Sequence, residues 1–212
     1  MYTNTPKDNH FKGTDPFLLA DPTVQRNWWQ RNVTPFINPL ILSFGILGNY
    51  AHHTIELCKG NETFHLSKLW WPSQAALLVW RWGFRGVHLF MMLTTITSFW
   101  YFSLAMMNHN SRKAHTLSLR KNKSWAEQQV LTCTDWCANW SFVSSSVFLW
   151  LNTHTVHHLF PRIDISHHSA LQDILRRTCE EFAVDYEDLP ITKAYSEMMH
   201  CFRFPISLNE EF

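Results

Sequence analysis

The chain has little charge, little glycine and no patterned cysteine. Charged residues make up 17% of its 212 residues and hydrophobic ones 46%, whereas soluble domains carry roughly 25% charged residues. Six glycines exclude collagen-like and Gly-rich low-complexity chains. A net charge of +1 leaves no basic stripe of the kind a nucleic-acid binder shows, so no nucleic-acid partner is expected. The five cysteines, Cys58, Cys133, Cys137, Cys179 and Cys201, are odd in number and form no CxxC pair. Cys133 and Cys137 stand four apart, but a zinc site needs two more ligands, and none stands near them in the sequence. All five read as reduced packing residues. No HPGG-like haem signature, internal repeat or β-type alternation is present. Met1 leads into polar Tyr2-Thr3-Asn4-Thr5 rather than a basic and then apolar leader, so membrane insertion is expected to rest on internal segments.

What the chain does hold is aromatic and imidazole: 11 Trp, 16 Phe and 13 His. Residues 1–32 are polar and broken by Pro6, Pro16 and Pro22, with Asp15–Leu19 as a short surface-lying element. Val33–Ala51 carries no charge and is just long enough for a bilayer core of ~30 Å. A membrane span and a buried or re-entrant helix both fit it. Residues 69–84, with Arg81 among Leu, Ala and Trp, predict an interfacial amphipathic helix. Gly86–Met107 has no Asp, Glu, Lys or Arg over 22 residues and predicts a span. Arg112, Lys113, Arg120, Lys121 and Lys123 follow it and mark a cytosolic flank. Beyond Ser124 the pattern predicts soluble-facing helices: a long apolar stretch over Trp125–Leu151, an amphipathic helix over 166–183, and a short one near 193–202. In the second of these Leu171, Ile174, Leu175, Cys179 and Phe182 share a face that Gln172, Asp173, Arg176, Arg177 and Glu180 avoid. Asp164 or Ser166 is its expected cap.

The chemistry is concentrated at His154, His157 and His158. Their spacing i, i+3, i+4 puts His154 over the other two on one helical face. Three neutral imidazoles converging there can share a metal, and imidazole suits iron, zinc and copper alike. A bare HxxHH also arises as a surface cluster or a packing set. Here Leu159-Phe160-Pro161 follows directly, in a histidine-rich, apolar chain.

Asn152–Arg162 resembles the third histidine box of the membrane fatty acid desaturase family, HxxHH or QxxHH, often continuing LFP. Asp135–Asn139 and the apolar run to Leu151 look like the approach to that box. His167 or His168 and the helix through Cys179-Glu180-Glu181-Phe182 are similar to the family's tail. Asn108-His109-Asn110, just past the predicted span, also matches, and in the family a histidine there helps complete the metal site. Family members follow their second box with something like xYTN and then a DPF-like stretch; here Met1–Asn4 and Asp15-Pro16-Phe17 stand in that order. The resemblance covers nearly all the chain but only the C-terminal half to two-thirds of a full enzyme.

The resemblance implies an all-α fold: two membrane spans and a cytosolic helical C-terminal region carrying the box. The whole chain, 1–212, is then one N-terminally truncated domain, with a polar lead-in (1–32), a membrane region (33–107) and a metal-box and tail region (108–212). It implies two irons held mainly by histidines, with His154, His157, His158 and His109 as this chain's ligands. The implied reaction is oxygen-dependent desaturation of an acyl chain, carried on lipid or CoA. Electrons would come from a cytochrome b5-type or ferredoxin-type donor, in the endoplasmic reticulum, a plastid or a bacterial inner membrane. A related lipid hydroxylase, a sphingolipid-type desaturase and a non-catalytic lipid-binding paralogue are the alternatives. No HxxxH box and no second HxxHH occurs in the sequence. His52-His53 lies in the loop between the predicted spans, on the opposite side from His154. Four ligands do not saturate two irons, so the chain by itself is expected to be inactive.

Overall fold

The computed structural model of the chain describes residues 24–118, 123–140 and 142–205. The Met1–Asn4 and Asp15–Leu19 stretches singled out above lie outside the described residues, as do Arg120 and Lys121 of the basic flank. Helices dominate, and the only strand pairing among the described residues is a two-residue parallel bridge. The chain divides into two compact units. One is Pro39–Ser103; the other comprises the described residues up to Asn38 and from Leu104 onward.

Helix α1 (Trp28–Asn32) opens with a capping box: the Asn27 side chain accepts from Gln30 N, and the Gln30 side chain accepts from Asn27 N. The uncharged segment that follows is not one helix. It turns at 33–36 and forms α2 (Asn38–Ser43), then breaks at Phe44 and resumes as α3 (Gly45–Cys58). Pro39 sits in the first turn of α2, where its missing N–H costs nothing. The break is repaired from α5 (Phe84–Met107), which follows α4 (Trp70–Trp82) in the chain. Ser98 Oγ donates to Leu42 O at 2.6 Å and accepts from Ile46 N at 3.0 Å, satisfying backbone groups that the interruption frees. The two helices are close enough there to require glycine: a Cβ on Gly45 would lie 2.5 Å from the Phe102 ring.

Helix α5 is the one helix among the described residues long and apolar enough to cross a membrane, at about 36 Å for 24 residues. Met92, Leu93 and Ile96 on it are exposed, which a core helix of a soluble protein would not tolerate in such number. The expected amphipathic helix over 69–84 forms as α4, with Trp70, Leu77 and Trp80 exposed.

The second unit contains α6 (Arg112–Ser118), α7 (Trp125–Leu131), α8 (Phe142–Val147), α9 (His154–Leu159), α10 (His168–Glu181) and α11 (Ile191–Arg203). Strand β1 (Asp135–Trp136) pairs in parallel with β2 (Asp188–Leu189). Its apolar core joins Val130 of α7, Val156 of α9 and Leu175 and Cys179 of α10, with Leu159, Leu171, Val184 and Tyr186 packed around them. Arg112 makes a two-pronged pair with Glu197 of α11, Nε to Oε2 at 2.8 Å and Nη2 to Oε1 at 2.7 Å.

Two expectations are revised here. The apolar stretch 125–151 does not run as long helix: it is α7, β1, a turn, α8 and a short 3-10 turn at Leu151–Thr153. Cys137, Leu149 and Trp150 have φ of 51°, 55° and 54°, left-handed conformations that no α-helix accommodates. The buried face of α10 is His168, Gln172, Leu175 and Cys179, while Ile174 and Phe182 point to the exterior. Polarity misplaced Gln172 because its partner, a buried carboxylate on β1, is far away in sequence. Asp164 does cap, but for the 3-10 turn Ile165–His167 that leads into α10.

Candidate metal centre

His109 stands in the turn just past α5, and its neighbours hold that turn. Asn108 Oδ1 accepts from the buried Trp136 Nε1 at 2.6 Å, and Asn108 O accepts from Thr134 N at 2.8 Å. Asn110 Nδ2 donates to Met106 O at 2.8 Å, while its Oδ1 lies 3.1 Å from Nε2 of buried His115. The two asparagines thus fix the backbone on either side of His109.

Helix α9 is short because both its ends are determined by sequence. Pro161 disfavours helical backbone at Phe160, and Phe160 N closes on Val156 O at 2.8 Å. At the N-terminus, buried Asp135 accepts from Thr155 N at 2.8 Å and from Thr155 Oγ1 at 3.0 Å. The other Asp135 oxygen accepts from Gln172 Nε2 at 2.8 Å and Tyr186 Oη at 2.7 Å. Gln172 Nε2 also meets the Tyr186 hydroxyl. Burial raises the Asp135 carboxyl to about 6, against the four hydrogen bonds that lower it. Tyr186 is pushed up by burial and by the Asp135 charge. Val156, wholly buried, plugs α9 into the core.

With α9 so fixed, the ring nitrogens converge. His154 Nε2 lies 2.9 Å from His109 Nε2 and 3.0 Å from His158 Nε2. His158 Nδ1 donates to Oε1 of buried Gln129 at 3.1 Å, which leaves its Nε2 lone pair facing the other two rings. Cys133 joins from the segment after α7: its Sγ and ring nitrogens of His109 and His158 all lie within 4.8 Å of one another. Burial, and secondarily the Asp135 charge, raise the Cys133 thiol well above its ordinary value.

His157 is placed differently. It is exposed, its ring 5.5 Å from that of His154 and 6.0 Å from that of His158. Of the tail histidines, His167 is exposed and His168 buried. His168 Nδ1 lies 3.3 Å from Thr153 Oγ1, and burial lowers its affinity for a proton, helped by nearby His157. His52 and His53 lie on α3 in the other unit, exposed, with His53 Nδ1 2.6 Å from Glu62.

Do these donors fit iron? Nitrogens bound to one ion at about 2.1 Å stand roughly 3.0 to 3.4 Å apart at right-angled to tetrahedral geometry, close to the 2.9 and 3.0 Å that separate His154 Nε2 from the His109 and His158 nitrogens. The donors fit the share of one ion. Sequence reasoning named His109, His154 and His158 but missed Gln129, Asp135 and Cys133. Asp135 was visible only as part of the approach to the box, and Cys133 stands 24 and 25 residues from its two neighbours by number.

The sequence profile of the fatty acid desaturase family matches residues 2–190. An acyl-lipid (8-3)-desaturase of Mortierella alpina is 31% identical over 138 residues, covering 63% of this chain and 30% of that protein. Fatty acid desaturase 3 of Homo sapiens is 24% identical over 204 residues, covering 86% of this chain and 42% of that protein. An sn-1 linoleoyl-lipid 6-desaturase of Arthrospira platensis is 41% identical over 73 residues, 32% of this chain and 18% of that protein. The chain thus spans less than half the length of these curated relatives. No solved structure matches it.

Proposed function

The chain belongs to the fatty acid desaturase family, and we propose that it supplies one part of the iron-binding face of an acyl-lipid desaturase. The observation that carries this reading is the convergence of His109, His154 and His158 through nitrogens 2.9 and 3.0 Å apart. These three hold one iron, and His157, turned outward from the same helix, is the donor left for a second. When bound, the irons activate dioxygen to remove hydrogen from an unactivated acyl chain; the protein supplies position and a dry surrounding.

The chain's own contributions are physical. Gln129 holds the proton on His158 Nδ1 and so keeps Nε2 basic. Asp135 and Thr155 fix the start of α9, and Asn108 and Asn110 fix the His109 turn. Helix α5 anchors this histidine at the end of a membrane-crossing segment, with α2 and α3 as a second, interrupted crossing and the histidines on the cytosolic side. The substrate is an acyl chain on a lipid, the chemistry in the names of the relatives from Mortierella and Arthrospira. A cytochrome b5-type or ferredoxin-type protein supplies the electrons, and the endoplasmic reticulum is the membrane. Because its donors suit one ion's share, this stretch of chain does not desaturate by itself.

Iron analysis of the purified full chain, paired with lipid analysis of the cells expressing it, tests the reading. The expected result is bound iron, fewer than two per chain, with no new double bond in the host lipids. Two irons per chain with oxygen-dependent desaturation would overturn the partial-site reading. Absence of iron from protein purified out of iron-replete cells would overturn the metal reading itself.

A further inference from the structure

The five cysteines do not share one environment. Cys58 is exposed, and Cys179 sits in the apolar core beside Val130, Val156 and Leu175. Cys133 is 2% exposed, yet its sulfur faces ring nitrogens of two histidines rather than hydrocarbon alone. Those histidines arrive from separate places in the chain, the turn past α5 and helix α9. Cys133 comes from a third, the link between α7 and β1. Thr134 N, on the next residue, donates to Asn108 O at 2.8 Å. Cys133 and His109 are therefore tied to each other through the backbone and cannot drift apart independently.

We propose that Cys133 is a metal ligand, joining His109, His154 and His158 in a single-ion site of three imidazoles and one thiolate. The inference rests on the histidine reading above and adds a donor to it. At tetrahedral angles a metal–sulfur bond of about 2.3 Å and a metal–nitrogen bond of about 2.1 Å set sulfur and nitrogen roughly 3.6 Å apart. The Cys133 sulfur and ring nitrogens of His109 and His158 lie within 4.8 Å of one another, and His154 Nε2 stands 2.9 and 3.0 Å from the other two imidazoles, so binding an ion draws the sulfur in by about an ångström. On binding, the sulfur–hydrogen bond breaks, its proton passes to solvent, and the sulfur lone pair forms the bond to the cation. No electron changes hands. One thiolate with three neutral imidazoles leaves a divalent ion with a net single positive charge, less to bury than an all-imidazole site would leave. Such a mixed set takes divalent first-row ions, Zn2+, Co2+ and Fe2+ among them. The all-histidine ligation implied by the family resemblance has no place for this sulfur.

Anaerobic titration of the reduced, detergent-purified full chain with Co2+, followed by absorption, tests this directly. The expected spectrum has visible ligand-field bands together with a near-ultraviolet sulfur-to-cobalt charge-transfer band that saturates at one cobalt per chain. In Cys133→Ala the charge-transfer band is lost while cobalt still binds to the three histidines. Ligand-field bands without the charge-transfer band in the unaltered chain would overturn the role of Cys133 and leave the histidine site standing. A charge-transfer band that survives in Cys133→Ala would place the sulfur elsewhere and also overturn it. No cobalt binding at all would overturn the histidine reading together with this one. Because the presence or absence of the charge-transfer band and of cobalt binding is read on the unaltered chain, a variant that fails to fold does not block the test.

Discussion

Asp135 accepts the backbone N–H of Thr155 at 2.8 Å, so one buried carboxylate on β1 fixes the helix that carries His154 and His158. Removing it leaves the Thr155, Gln172 and Tyr186 donors without their shared acceptor. Asp135→Ala should cost about 3 kcal/mol of stability, as expected when several buried donors are stranded at once. Asp135→Asn keeps one oxygen for Thr155 and should cost roughly 1 kcal/mol. Thermal denaturation of both variants checks the order. Equal losses would show that the carboxylate's charge, rather than its oxygens, matters.

Gln129 acts through a ring nitrogen instead of the backbone. Its Oε1 accepts a hydrogen bond from His158 Nδ1, so Gln129→Leu should weaken divalent metal binding about tenfold, in line with losses of such supporting contacts. Competition against a chelator measures it. Gln129→Glu, which still accepts, should restore most of the affinity; a failure to restore it would argue for a packing role.

The Arg112–Glu197 pair sets an acid dependence. The Arg112 hydrogen bond holds the Glu197 carboxyl at about 2, below its ordinary 4.5, with burial opposing. The folded protein therefore binds fewer protons than the unfolded chain between these values. The stabilisation is fully present above about pH 4.5 and is lost as pH falls toward 2. Allowing for the exposure of the arginine side chain, the pair is worth roughly 2 kcal/mol at neutral pH. Glu197→Gln should melt lower than the unaltered chain at pH 7, with the gap closing on acidification. A gap independent of pH would rule out the ion pair as its cause.

Helix α10 ends in a Schellman motif without a glycine. Val184 N bonds Cys179 O at 2.8 Å and Ala183 N bonds Glu180 O at 3.3 Å, with Ala183 at φ 51°. That left-handed position is the one glycine normally fills. Ala183→Gly should stabilise the fold by up to about 1 kcal/mol, measurable as a higher unfolding midpoint in denaturant. A lower midpoint would mean that the Ala183 methyl makes contacts worth more than the relief of backbone strain.

How far the sequence foretold this arrangement depends on how local each feature is. Helix α5 was legible because an uncharged run of that length needs nothing but itself to be recognised. The family was legible from His154-Thr155-Val156-His157-His158 and its LFP continuation. The break at Phe44 was not, because the group that repairs it, Ser98, lies on another helix. Nor was the buried place of Gln172, since a polar side chain inside is explained only by its partner, Asp135, 37 residues earlier. Spacing puts His157 on the face of His154; in α9 His154 and His158 are buried and His157 is exposed. Cys133 shows the same limit: pairing it with Cys137 looked along the chain, while its neighbours stand across the fold.

If His109, His154 and His158 hold one metal ion, its affinity depends on the two buried imidazoles of α9 and not on exposed His157. Anaerobic Fe2+ binding by the full chain, compared with His154→Ala, His158→Ala and His157→Ala, tests it most directly. The unaltered chain should bind Fe2+, His154→Ala and His158→Ala should each weaken binding at least tenfold, and His157→Ala should leave this first ion nearly unaffected. Unchanged Fe2+ affinity in both His154→Ala and His158→Ala would contradict it.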